Sequence, residues 1–461
     1  MPERPGLTRR LAEWTAGLGC EALPAEIVLG AKRQILDTLA CAWAGSDAAG
    51  VAEVRRLLVE RGGRAEASVW AHGDHLPAPA AARLNGMMAA ALDYDALHDQ
   101  ATVHADIVIL PAVLALAERT DATGAELIAA LVAGDELMVR LGRAVKSHPG
   151  WFYTSVLGSL AAAAAAARVL KLDGRGTASA IGIALGTAGG TQQSLIEKTL
   201  TKRLQSASAA EAGVEAALMA ACGITGPAEA LEGRAGLAAL YTELDQDLML
   251  DGLGTTFEVA GLTFKKYPSC FCNHAAIEGV LELVRRHALT PDRIDSVTVE
   301  LTPYMARLVG SAFEPGDTPQ AAAQFSVQYS VASALLRHRL GLADIEPAAV
   351  LDPAVGPLAA RVRVLIDAGR DDKFVPVPLT LRTIDGGEHR IVVDTLPGTP
   401  SRPLSDRELE AKVRECFGRG ARPLSDGQID CVIERVAGLE SLPSAGAILE
   451  GLPSPTPRLA A

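Results

Sequence analysis

The sequence predicts a mainly α-helical protein: a large all-helical domain built from both chain ends, with a smaller α+β unit, read as a lid domain, inserted into it. Three observations predict this. Hydrophobic residues make up 49% of the chain but aromatics only 4%, and residues 161–167 are an unbroken run of alanine, a composition that suits closely approaching helices better than aromatic-rich β structure. Apolar residues recur at three- and four-residue steps from the N-terminus to about residue 262, the period of a helix with one buried face. Alternation of apolar and polar residues, the period of a strand, then appears and ends at Pro397-Gly398-Thr399-Pro400, after which helical spacing returns.

Taken in order, PAEIVLGAKRQILDTLACAWAG places Ile27, Val28, Ala31, Ile35, Leu39 and Trp43 on one helical face, with Pro24 suited to a first turn and Gly45 to an ending. TGAELIAALVAGDELMVRLGRAV opens on a capping box, Thr123 with Glu126. NGMMAAALDYD reads as a helix whose end carries Asp93 and Asp95, at least one of them at a rim between core and cleft. SVTVELT (296–302), ARVRVLID (360–367) and VPLTLRTIDGGEHRIVVDTL (377–396) read as strands, the last folded at Asp385-Gly386-Gly387 into a hairpin. The expected units are residues 1–265, 266–397 and 398–461, the third rejoining the first and ending in a disordered tail, LPSPTPRLAA. Borders between such units are where clefts form.

A net charge of −12, with no Lys/Arg-rich run, argues against nucleic acid as a partner. Seven cysteines in no paired framework suit reduced thiols, and Cys270-Phe271-Cys272 is too short a pattern to signal a metal. Neither a signal-peptide core nor a run of ~18 apolar residues is present. The chain reads as cytoplasmic, with no membrane partner.

Within ALDYDALHDQATVHADIVIL, four aspartates and two histidines fall between Asp93 and Asp106. A solvated loop capping two helices would explain any one of them. Together, Asp93, Asp95, His98 and His104 read as proton-handling groups, because a carboxylate at a buried rim has its pKa raised and imidazole titrates near neutrality unaided. Two basic stretches interrupt small or apolar residues: TLTKRLQS, with Lys198, Lys202 and Arg203, and GLTFKKYPSC, with Lys265 and Lys266. Each alone reads as an ordinary surface patch. Beside a cleft, paired cations are what a di- or tricarboxylate needs in exchange for its water. Walker A, GxSxG, HExxH and dinucleotide fingerprints are all missing, which leaves acid/base chemistry without a cofactor.

The stretches ILDTLACAWAG, LNGMMAAALDYD, VHADIVILPAVLALAE, GDELMVRLGRA, TKRLQSASAAEAGVEAALMAACGITGPAEALEG, FKKYPSCFCNHAAIEGVLEL and FSVQYSVASALL resemble, in order and over nearly the whole chain, the MmgE/PrpD family. That family includes 2-methylcitrate dehydratase, cis-aconitate decarboxylase and iminodisuccinate epimerase. The resemblance implies a homodimer and a site at the domain junction needing neither metal nor iron–sulfur cluster. It implies catalytic roles for Asp93, His104, Lys202 and Lys265, and a place near substrate for His274 and for Tyr153 in GWFYT, beside Asp95, His98, Arg203 and Lys266. The sequence departs from the family pattern where Ala96 and Leu97 replace an acid and a hydroxyl residue, where His104-Ala105-Asp106 replaces His-Pro-Ser, and where Phe152 replaces a histidine. These changes argue against 2-methylcitrate itself.

The expected activity is therefore a hydro-lyase, a dehydratase that removes a proton next to a carboxylate of an altered substrate. In it the lysines hold carboxylates, His104 or Asp93 takes the proton, and the other group or His98 returns one. Epimerisation or decarboxylation of a related polycarboxylate is the alternative. Two other classes remain open: a metal-dependent phosphohydrolase using His72 or His75 with His98-Asp99, and an organic-acid binder without turnover.

Overall fold

The computed structural model describes residues 5–371 and 373–452; the tail expected to be disordered lies, from Pro453 onward, outside the described residues. The protein is mainly α. At its centre runs Tyr153–Val169, which carries the alanine run and buries every residue but Arg168. Asp106–Thr120, Gly124–Ala144, Gly174–Leu185 and Thr201–Ala221 pack around it. Small side chains are what allow this: a methyl added at Gly134 would lie 2.6 Å from Ile109 Cγ2 and 2.7 Å from Ala165 Cβ, in an interior already packed to crystal density.

The local signals hold where one residue decides them. Thr123 Oγ1 accepts from the Glu126 amide at 3.2 Å and Glu126 Oε2 accepts from the Thr123 amide at 2.9 Å, completing the capping box. Ala25–Ala44 ends at Gly45. Asp406–Phe417 and Asp426–Ala437 return onto Ala25–Ala44, with Phe417 edge-on to Trp43 at 5.8 Å. Both chain ends thus share one core.

A second core forms around a four-stranded sheet ordered Val362–Ile366, Ile294–Leu301, Val377–Thr383, Glu388–Val393. The first pair is parallel and the other two are antiparallel. Gly386, at φ 87°, makes the hairpin turn, a conformation that costs glycine little. Phe271–His287 packs on the two hairpin strands and Val327–Arg337 on Val362–Ile366. Three side chains from the helical part, Leu97, Phe152 and Leu195, belong to this second core, and the candidate site lies where they cross over.

Two expectations need correction. The region read as helical throughout contains a two-stranded ribbon, Ala67–Ser68 paired with His75–Leu76, too short for its alternation to register. And Asp93 is not on a helix end: the helix Ala78–Ala90 stops short of it, and Asp93 is 2% exposed with φ 52°, in the left-handed region that aspartate tolerates better than most residues. Among the described residues no helix is long and apolar enough to cross a membrane.

Candidate active site

The loop after Ala78–Ala90 is held by three lysines drawn from distant parts of the chain. Lys265 Nζ donates to the main-chain oxygen of Asp93 at 2.7 Å and lies 3.3 Å from its Oδ1. Lys412 Nζ donates to the main-chain oxygen of Tyr94 at 2.8 Å and pairs with Asp37 at 2.7 Å. Lys202 Nζ donates to Asp93 Oδ1. Buried backbone oxygens need donors, and here each donor is a buried cation.

His104, just before the helix Asp106–Thr120, is fixed at both its main chain and its ring. Its amide donates to Thr154 Oγ1 at 3.1 Å, and its Nδ1 lies 2.6 Å from Asp95 Oδ2. Burial draws the imidazole below its ordinary pKa, outweighing the Asp95 carboxylate, which pushes it up. The ring is neutral at neutral pH, so Nδ1 carries the proton given to Asp95 and Nε2 is left with a lone pair.

The carboxylates behave opposite to expectation. Burial raises Asp93, but Lys202 and Lys265 more than reverse it and hold the group far below the usual carboxylate range. Asp95 is likewise held low against burial, by His104 and Lys265. For Lys202, burial is outweighed by Asp93 and Asp95, which keep the ammonium charged. Neither aspartate trades protons near neutrality, so that property of the cluster rests on His104.

Asp93, His104 and Lys202 line a cavity of about 50 Å³ together with Tyr153, Phe152, Leu97 and the aromatic rings of Tyr304, Phe325 and Phe374. Lys202 Nζ sits 6.0 Å from the Phe152 ring centroid and 5.7 Å from that of Phe325, a distance at which ring faces attract a cation. The side of the cavity formed by Leu97 and Phe152 is apolar, in keeping with the departures noted in the sequence.

Other expected residues point elsewhere. Lys265 is wholly buried behind Asp93 and does not line the cavity. Arg203 donates to the main-chain oxygen of Ala49. Lys266 pairs with Glu278 at 2.8 Å. His98 accepts from the Ala101 amide at 3.1 Å and faces a separate cavity beside Glu258 and Gly261. His274 is buried under Tyr267 and Phe271, and burial, then Lys265, press its pKa to about 3. Tyr153 does line the cavity, but its hydroxyl donates to the Ser147 oxygen. Sequence reasoning missed Lys412 and Asp37. A signal existed: in DRELEAKVRECF, Lys412 shares the buried face of Leu409, Val413 and Cys416.

Asp93, Asp95 and His104 offer ligand atoms within 4.8 Å of one another, the only metal-capable group among the described residues. Two ammonium groups already neutralise Asp93, a poor setting for a dication. His72, His75 and the His98-Asp99 pair form no such group; His72 Nε2 lies 3.0 Å from the Ser46 oxygen.

Comparison with known proteins gives relatives over nearly the full length. The cis-aconitate decarboxylase of Homo sapiens is 27% identical, covering 98% of this chain and 95% of its own. That of Mus musculus is 26% identical over 96% and 93%, and the cis-aconitate decarboxylase-like protein oryM of Aspergillus oryzae 27% over 89% and 90%. Residues 9–248 match the MmgE/PrpD N-terminal domain and residues 267–431 the MmgE/PrpD C-terminal domain. The two matches lie in order and account for most of the sequence, and the chain belongs to the MmgE/PrpD family.

Proposed function

We propose that the protein is a cofactor-independent lyase acting on a small di- or tricarboxylate, and that its reaction is the decarboxylation of an unsaturated acid of the cis-aconitate kind. One observation carries the chemistry: a neutral imidazole, His104, oriented by Asp95 and lining the same cavity as the Asp93–Lys202 pair. Loss of carbon dioxide from a carbon next to a double bond leaves an electron pair that spreads onto the remaining carboxylate. Lys202 opposes that growing charge, as a preorganised cation can. His104 Nε2 handles the proton at the α-carbon; an anion docked beside the ring favours its protonated form, which then delivers the proton. Lys265, Lys412 and Asp95 act by position. The names of the full-length relatives support decarboxylation over the dehydration expected from sequence.

Elimination of water is the second reading, favoured by the neutral resting state of His104, which suits a base that removes the α-proton first. Both readings pass through a carbanion stabilised by a neighbouring carboxylate.

The unit spanning residues 266–397 serves in this proposal as a lid on the helical domain, residues 1–265 with 398–461. Ligand pockets enclose roughly 300–1,000 Å³, whereas this cavity is about 50 Å³ with walls from both units, so substrate entry requires them to part. A homodimer in the cytoplasm belongs to the same proposal. The test is to incubate the protein with hydroxy-, imino- and unsaturated di- and tricarboxylates in deuterated water and follow proton NMR. Release of carbon dioxide with one deuteron at the α-carbon is the expected result. Loss of water identifies the second reading, inversion identifies epimerisation, and unchanged spectra with every acid discard lyase chemistry.

A further inference from the structure

The inner cluster balances its own charge. Lys202 and Lys265 offset Asp93 and Asp95, and His104 is neutral. A polycarboxylate brings two or three negative charges, and desolvating them without matching cations is costly. Two cations with no carboxylate paired to them among the described residues stand at the edge of the same cavity. Arg307, exposed on Pro303–Val309, donates to Gln192 Oε1 at 3.1 Å and lies 5.6 Å over the Tyr304 ring. Lys373 donates to Thr102 Oγ1 at 2.6 Å and to the Gln100 oxygen at 3.2 Å. Gln192, Tyr304 and Thr102 all line the cavity. Neither cation forms a salt bridge among the described residues, although Asp99 acts on Lys373 from a distance.

His148 is within reach of both charges. It lines the cavity with its ring edge-on to Tyr153 at 5.3 Å. Burial, then Lys373 and Arg307, draw its pKa down to about 4, so both charges reach one imidazole. Outside lies a second, open cavity of about 560 Å³ lined by Arg307, and it shares Trp151 and Gln192 with the first. An anion entering by that route meets Arg307 before it meets Lys202.

We infer that Arg307, Lys373 and His148 form an outer anion subsite, which takes a second carboxylate of the substrate whose first carboxylate meets Lys202. The inference rests on the polycarboxylate reading above and adds the residues that set substrate charge. Arg307 offers a planar fork matched to a carboxylate, and His148 offers a ring nitrogen that becomes a charged donor when an anion docks beside it.

Calorimetric titration with propane-1,2,3-tricarboxylate, a saturated acid with no bond to break, tests it. Arg307→Gln and Lys373→Gln each weaken binding about ten- to a hundredfold, the range of a lost charge-assisted hydrogen bond. Arg363→Gln, at an exposed position on the sheet strand Val362–Ile366, leaves binding unchanged and controls for overall charge. In turnover assays the first two variants raise KM and spare kcat. Binding by both variants as tight as that of the unmodified protein overturns the subsite and leaves the proposed function standing. Failure of the unmodified protein to bind the tricarboxylate removes the polycarboxylate reading and the subsite with it.

Discussion

Lys265 holds Asp93 twice, by a 2.7 Å hydrogen bond to its main-chain oxygen and by a 3.3 Å approach to its carboxylate. Asp93 has φ 52°, a conformation that persists only when its surroundings impose it. The lysine is therefore a positioning residue for the loop that carries the site. Lys265→Met leaves a buried carboxylate with one cation fewer, and destabilisation of about 3 kcal/mol is expected in urea unfolding. Substrate affinity should fall less than kcat, because Lys265 does not line the cavity; a pure KM effect would return it to the role of carboxylate anchor.

In the proposed reaction Asp95 acts through His104, whose Nδ1 it meets at 2.6 Å. Asp95→Asn puts an NH2 donor where a carboxylate oxygen accepted the Nδ1 proton, and so lets the ring present the wrong tautomer. Turnover falls about 10²–10⁴-fold, and so does that of His104→Gln. The double variant loses little more than either single one, since the two residues act as a unit. Rates measured by NMR on each variant, with circular dichroism to show retained folding, check this; additive losses would separate the two residues.

How far the site was legible depended on what one residue of chain does to direction. Lys202 and Arg203 are adjacent on a helix, where successive side chains diverge by roughly 100°, so Lys202 turns to Asp93 while Arg203 turns to the Ala49 oxygen. Lys265 and Lys266 lie outside any helix or strand and likewise part, one toward Asp93 and the other toward Glu278. Sequence density marked the stretches that meet at Asp93 but not which member of each pair faced it. The helices were legible because periodicity and caps are local. Arg307, Lys373 and His148 were not, because nothing local marks residues that meet only across the junction of two cores.

The pH dependence of activity follows from His104. Its pKa is lowered by burial, so the acid limb of kcat/KM lies below the ordinary histidine value of about 6.5. Stability follows the same group with a definite sign. A histidine depressed in the folded state binds fewer protons there than when unfolded, so stability declines as pH falls from about 6.5. Asp93 and Asp95 are also depressed; their stabilisation is present above about 4 and is lost as pH falls through their folded values. Because His148 and His274 are depressed as well and Asp106 and Asp135 are raised, the share of His104 is read by difference: in urea unfolding from pH 8 to 4, His104→Gln should lose less stability below about 6.5 than the unmodified protein does.

Asp106 and Asp135 give the opposite sign. Both are buried without a hydrogen-bond donor, one opening the helix Asp106–Thr120 and the other within Gly124–Ala144. Burial, together with Asp37 and Asp95, raises Asp106 to about 7 although Asp135 lowers it, and burial and Asp106 push Asp135 well above its ordinary value. Two adjacent buried carboxyls share a proton because both cannot ionise. The folded state then binds more protons than the unfolded chain, so this pair makes stability fall as pH rises from about 4 toward 7. Asp135→Asn supplies a permanent amide donor and removes that dependence. The variant should match the unmodified protein in melting temperature at pH 5 and exceed it at pH 8. A lower melting temperature at pH 8 would show that the pair is ionised and held by a partner other than a shared proton.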